Sequence, residues 1–338
     1  MRGAALAALL LLATAAARAQ SASGLELFTS PAKGYCIACH QVPQGAGPAT
    51  RSDLGPRLEG TRMRELGRAR LRALLADPMA ANPDTVMPPF GRHRILSAAE
   101  IDRVVDYLDA LPSSGAPAPD PEPPARAEDE GEDAKAVIAR GATLWKRRFK
   151  DGKSLAGCFP NGGRRVAAAY PQYHPRLKLV FTLEMAVNQC LKAHHEPLLD
   201  YTDPATMGAI TAYVRSLAEG SRIAVRVPAA AQPHFEQGRR LYFSRLGQRN
   251  FACASCHMRG AGKRYADVPL SPAAGQATSW PYIRGGEAVT LQAQVRQCLE
   301  RMGAAPFPAG SEELNDLEYF LTSLSNGLAI RANASRAR

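Results

Sequence analysis

Two short stretches of the chain, GYCIACHQVP at 34–43 and FACASCHMRG at 251–260, place two cysteines three positions apart with a histidine directly after the second. Together they use four of the seven cysteines. On the first turns of a helix, residues i and i+3 share a face, so both sulfurs of a motif can form thioethers to the vinyl groups of one haem. The next residue, His40 or His257, then falls beneath the iron as its proximal ligand. Zinc and thiol redox are the competing chemistries. Each motif offers zinc only three ligands, with no matching second Cys-x-x-Cys, and the βαβ setting of a thiol-redox motif is missing. Two covalently bound haem c groups are predicted, at Cys36/Cys39 and Cys253/Cys256.

Each iron has a sixth position to fill or leave open. For the first, PDTVMPPFGRH offers Met87, whose loop is stiffened by the two prolines that follow. A thioether opposite a histidine makes a high-potential electron-transfer haem. Met63 and Met79 lack the proline setting, and His93 is a competing ligand that reads more readily as a surface residue. Cys298 follows the second motif on an expected helix, where a distal ligand could originate. A thiolate there would hold the iron at low potential and leave a sulfur able to react.

The elements that must position these groups repeat. Gly141-Ala-Thr-Leu144-Trp145 answers to Gly238-Arg-Arg-Leu241-Tyr242, and TLEMAVNQCL at 182–191 answers to TLQAQVRQCL at 290–299. Two copies of one helical domain, at 135–222 and 235–330, account for this. The middle copy has CFPNG at 158–162 where the last has CASCH, so it lacks the second cysteine and the histidine. Its Cys158 and Cys190 occupy the attachment and distal positions of a haem that this copy cannot hold. Drawn together they would form a disulfide, worth about 3–4 kcal/mol for a loop of this length. The alternative is two separate buried thiols, less expected after export.

A first module at 24–111 ends in SAAEIDRVVDYLDAL, where Ser97 and Glu100 make a capping box and Ile101, Val104, Val105 and Leu108 one apolar stripe. The Pro- and acid-rich segment 112–134 has little to bury and reads as an extended linker. Residues 1–19 pair Arg2 with an apolar run and a small-x-small end, which reads as a cleaved signal peptide. No later segment is long and apolar enough to span a bilayer. Export to the periplasm and no integral membrane segment after cleavage are expected. The net charge of +11 is spread along the 338 residues. In an exported protein it suits small anions or an acidic protein partner better than nucleic acid.

In CIACH and TVMPPFGRH, and in CFPNGGRRVAAAYPQYHP, TLEMAVNQCL, CASCH and VRQCLERMGAAPFPAGS, nearly the whole mature chain resembles the SoxAX cytochromes of bacterial sulfur oxidation. A SoxX-like domain would be joined to a SoxA-like subunit. The family more commonly keeps these as separate chains, and many SoxA proteins retain a haem in the middle domain. The resemblance implies an all-α fold of three class I cytochrome c-like domains, the middle one without haem. It also implies an enzyme, an L-cysteine S-thiosulfotransferase that joins thiosulfate oxidatively to a cysteine of the carrier SoxYZ and passes electrons through its haems to a cytochrome c acceptor. Cys298 would then be both distal ligand and reactive sulfur. Arg296, Arg301, Arg284 and Lys263 are candidates to attract the thiosulfate dianion, although each taken singly reads better as a solvated surface charge. His194 and His195, in the haemless module, read as surface residues. A passive dihaem carrier and a thiosulfate dehydrogenase forming tetrathionate remain open alternatives.

Overall fold

The computed structural model describes residues 21–113 and 130–332. The predicted signal peptide and residues 114–129 of the predicted linker lie outside the described residues. The first module holds α1 (Gly24–Thr29), a short 3-10 turn at Cys36–Ala38, α2 (Gly60–Leu66), α3 (Arg68–Ala76) and α4 (Ala98–Asp109). Ser97 and Glu100 form the expected capping box at the start of α4, and Ser23 with Glu26 forms a second at α1.

The middle module holds α5 (Glu130–Lys146), α6 (Leu155–Cys158), the ribbon β1 (Gln172–His174)/β2 (Leu179–Phe181), α7 (Leu183–Ala193) and α8 (Ala209–Ser216). The last holds α9 (Gln232–Phe243), β3 (Arg264–Tyr265)/β4 (Val268–Pro269), β5 (Tyr282–Arg284)/β6 (Glu287–Val289), α10 (Leu291–Arg301) and α11 (Glu312–Ser323). Helices dominate, and the only described sheets are these three two-stranded antiparallel ribbons. The α5 helix begins inside the stretch read as linker. Its acidic first residues suit a helix N-terminus, and Val137 buries against Ala209, Ala212 and Ala288.

One device closes all three modules, and only two of its copies stand out in the sequence. A Cβ on Gly24 would lie 2.2 Å from the Arg103 carbonyl oxygen and 2.6 Å from the Tyr107 Cβ. On Gly141 it would lie 2.0 Å from the Ala209 oxygen and 2.8 Å from the Tyr213 Cβ; on Gly238, 2.0 Å from the Asp316 oxygen and 3.0 Å from the Phe320 Cβ. Each module's first helix therefore crosses its last at a glycine, where backbone meets backbone. Four residues after each glycine stands a fully buried aromatic: Phe28, Trp145 or Tyr242.

The first module has its own core, built around Leu27, Phe28, Leu71, Leu75 and the α4 stripe. The other two share one, running from Trp145 to Leu321. Their ribbons are exchanged: Arg140 on α5 donates to the Gly286 carbonyl of the β5–β6 turn at 3.2 Å, and His234 on α9 lies 3.0 Å from the Lys178 carbonyl of the β1–β2 turn. Each repeat thus packs its hairpin on the terminal helices of the other.

Candidate functional site

Cys36 begins its 3-10 turn, and the amides of Cys39 and His40 both donate to the Cys36 carbonyl, at 3.0 and 2.9 Å. The second motif sits in a helical turn spanning Ser255–Arg259. His40 directs Nδ1 to the Pro56 carbonyl at 2.6 Å, and His257 directs Nδ1 to the Ser271 carbonyl at 2.8 Å. A carbonyl can only accept, so each contact places the ring proton on Nδ1 and leaves the Nε2 lone pair for a metal. The Gln276 side-chain amide packs 2.8 Å from the same His257 nitrogen, and with Nδ1 protonated it is the oxygen end of that amide that must face the ring. Gly55 packs flat on the His40 ring, where a Cβ would come within 2.4 Å of Cε1. Cys36, Cys39, Cys253 and Cys256 are all free of disulfides. Burial pushes Cys36, Cys39 and Cys253 up to about 12 and Cys256 up to about 11. Paired neutral thiols, Cys36 buried and the other three half-buried, beside an oriented imidazole fit covalent attachment and proximal ligation of a haem.

The motifs come together across the junction between the first and last modules. Cys39 has Cys256 as an electrostatic neighbour. Around them the Ala266 amide donates to the Ala38 carbonyl at 2.8 Å, the Arg264 amide to the Asp53 carboxylate at 2.6 Å, and the Thr50 hydroxyl to the Asp267 carboxylate at 2.7 Å. Tyr35 stands edge-on to Tyr265 at 6.4 Å, with the Arg249 guanidinium 6.0 Å above the Tyr35 ring. None of these contacts is visible as a motif. The acceptors Asp53 and Asp267 belong to loops with no periodic pattern.

Met87 is half-buried against the first module's core, which includes Cys36. Its loop is gripped by Arg245 of the last module, which donates to the Thr85 carbonyl at 2.7 Å. The competing methionines are placed otherwise. Met63 is a core residue, and the Met79 sulfur accepts from the Asn250 amide at 2.9 Å. His93 turns Nδ1 to the Gln248 carbonyl at 2.7 Å, a contact between modules.

Cys298 lies half-buried on α10 and raises both Cys253 and Cys256 electrostatically, which places its sulfur beside the second attachment pair. Its repeat counterpart Cys190 is bonded to Cys158, with their Cα atoms 6.0 Å apart. The anion candidates are dispersed. Arg296 donates to the Phe307 carbonyl, Lys263 reaches the Leu54 carbonyl at 3.4 Å, Arg284 lies over the Tyr282 ring and donates to Gln294, and Arg301 is exposed. In the middle module His194 pairs with Asp151 at 2.6 Å. His234, with Glu312 and Asp316 near it, has both ring nitrogens engaged, by Asp316 at 3.0 Å and by Lys178. Both ring nitrogens are thus turned to acceptors of the protein itself.

The SoxA/TsdA cytochrome c domain family matches residues 140–223 and 237–330, and the family of cbb3-type cytochrome c oxidase subunit III matches residues 19–108. The L-cysteine S-thiosulfotransferase subunit SoxA of Chlorobaculum tepidum is 38% identical over 202 residues, which cover 59% of this chain and 70% of that protein. That of Allochromatium vinosum is 38% identical over 205 residues, 59% of this chain and 72% of that protein. Among solved structures, SoxXA from P. pantotrophus superposes with a TM-score of 0.55 at 25% identity, covering 61% of this chain and 79% of that one.

Proposed function

The chain belongs to the SoxA/TsdA cytochrome c family, and from that premise we propose that it is a periplasmic dihaem enzyme joining thiosulfate to a cysteine of a SoxYZ-like carrier protein. The fold is all-α and built of cytochrome c-like domains, a domain type that implies covalently bound c-type haem where the attachment motif is complete. The activity follows the name its curated relatives carry, L-cysteine S-thiosulfotransferase. Among the described residues no helix is long and apolar enough to cross a membrane.

The observation that carries this reading is Cys298. It is the one cysteine outside both attachment motifs and outside the disulfide, and it stands beside Cys253 and Cys256. In the net reaction the carrier's S–H bond breaks and a sulfur–sulfur bond forms to the outer sulfur of thiosulfate. One proton passes to solvent and two electrons leave. When bound, the two haems supply one-electron acceptance, held by His40 with Met87 and by His257 with Cys298. Cys298 presents the sulfur at which thiosulfate and the carrier thiol meet. Haems held at the two motifs would supply one-electron acceptance toward a cytochrome c acceptor, and the electrostatic influence of Cys256 on Cys39 supports two neighbouring attachment sites.

The test incubates the purified protein, whose mass should include two haems, with thiosulfate and ferricytochrome c, with and without the reduced carrier thiol. Carrier-dependent cytochrome reduction with a thiosulfonate adduct on the carrier supports the proposal. Tetrathionate formed without carrier would make it a thiosulfate dehydrogenase, and no sulfur product at all a passive electron carrier. Met87→Ala should lower the first haem's potential and change its spectrum; neither change would occur if another group ligates that iron.

A further inference from the structure

Cys298 is followed back along α10, one helical turn, to Gln294. Residues i and i+4 share a helix face, and the Gln294 amide nitrogen lies 3.6 Å from the Cys298 sulfur. At sulfur, with its larger radius, this is hydrogen-bonding distance. Oxygen and nitrogen of an amide are distinguished by what they face. Here the other end faces Arg284 on β5, whose guanidinium donates to Gln294 Oε1 at 3.4 Å. Arginine can only donate, so Arg284 must face the oxygen, and the NH2 is turned to the sulfur. Arg284 is itself steadied over the Tyr282 ring, 5.5 Å from its centroid.

The repeat supplies an internal control. Counting from the capping residues Thr182 and Thr290, the position of Gln294 is Ala186 in the middle copy. Where the cysteine is locked in a disulfide, no donor stands one turn before it. Where the cysteine is free, a donor is present and oriented.

We infer that Gln294, oriented by Arg284, is a positioning residue for the Cys298 sulfur, and that Arg284 acts through this amide rather than as a direct anion site. The inference rests on Cys298 being the working sulfur. A donor to a metal-bound sulfur draws electron density from the metal, so it raises the potential and fixes the direction of the remaining lone pairs. The effect on potential is read without substrate, which separates this inference from the proposed reaction.

The holoprotein is prepared as wild type, Gln294→Leu, Arg284→Ala and the double variant. Redox titration of the second haem, followed by its absorption spectrum, should show a lower potential in Gln294→Leu and a smaller fall in Arg284→Ala. The double variant should match Gln294→Leu, because Arg284 has nothing left to orient. With thiosulfate and carrier, kcat should fall in the Gln294 variant with KM for thiosulfate unchanged. An unaltered potential in Gln294→Leu overturns the inference. So does a rise in thiosulfate KM caused equally by Arg284→Ala in both backgrounds, since Arg284 would then bind the anion itself.

Discussion

The middle and last modules share a helix crossing, a hairpin, a threonine-capped helix and a cysteine at the same place on it, yet only one of them carries a complete attachment motif. Thr182 and Thr290 cap α7 and α10 in the same way, accepting from the backbone amide three residues on at 3.2 and 3.3 Å. Eight residues after each cap stands Cys190 or Cys298. In the middle copy the cysteine is spent on Cys158, and Trp145 and Phe159 pack tilted at 4.8 Å in the same core. In the last copy it stays free beside Cys253 and Cys256. The backbone thus sets where a sulfur stands, and the residues around the neighbouring loop decide whether that sulfur is locked in a disulfide or left free. A repeat that cannot hold a cofactor keeps its place by covalent closure.

The sharpest way to break this contrast is Cys298→Met. A thioether can keep the iron six-coordinate while removing the reactive sulfur, so transfer to the carrier should fall by at least ~10³-fold, the scale of losing a nucleophile. The second haem's potential should rise, because an anionic thiolate is replaced by a neutral ligand. Both haems should still be reduced and reoxidised chemically. Turnover at the wild-type rate would leave Cys298 a ligand only.

In the twin, Cys158→Ser with Cys190→Ser should leave the chemistry in place and weaken the fold. Releasing a cross-link with a sequence separation of 32 should cost about 3–4 kcal/mol, read as an earlier denaturation midpoint. The loss should reach both modules at once, since they share one core. Separate unfolding transitions for the two would contradict that shared core.

Much of this was legible because haem attachment is written in adjacent residues. The motifs, the threonine-capped cysteine helices and the α4 stripe depend on local spacing, and spacing is what a sequence shows. The hairpin exchange and the junction between motifs were not legible. The junction depends on Asp53, Asp267, Arg249 and Tyr265 meeting residues more than two hundred positions away, the exchange on Arg140 meeting Gly286 and His234 meeting Lys178, and no local pattern marks a residue for such a contact. The start of α5 was misread for a related reason. Glu132 and Asp133 read as readily as tether residues, and the helix is held by Val137 meeting Ala209 and Ala288 from elsewhere in the chain. Gln294 was passed over because a lone glutamine reads as surface polarity until Arg284 and Cys298 are seen on either side of it.

The glycine crossings test whether the two repeats remain mechanically equivalent. Gly141→Ala and Gly238→Ala each drive a Cβ to 2.0 Å from a carbonyl oxygen on the partner helix. Helix propensity would gain slightly, by under about 1 kcal/mol, while overpacking costs about 1–3 kcal/mol. Both variants should be destabilised, and by similar amounts in urea titration. A large inequality would mean that one crossing is held mainly by the neighbouring module.

A further test separates the same two crossings by charge. The carbonyl facing Gly141 belongs to Ala209, whereas the one facing Gly238 belongs to Asp316. Burial pushes the Asp316 carboxyl from its ordinary 3.8 up to about 6, against the pull of His234 and with Glu312 and Glu313 adding repulsion. Between those two values the folded protein holds a proton that the unfolded chain has already released. Stability is therefore greatest below pH 4, falls as pH rises through about 6, and is level above it with respect to this group. The loss across that window should be at most about 3 kcal/mol, less what solvent screening removes. Asp316→Asn removes the titrating proton while keeping the shape, so the variant should match the wild type at pH 4 and exceed it at pH 8. Chemical denaturation at the two values reads the difference. If both proteins lose stability in parallel across the window, the slope belongs to another group and the two crossings are electrostatically alike.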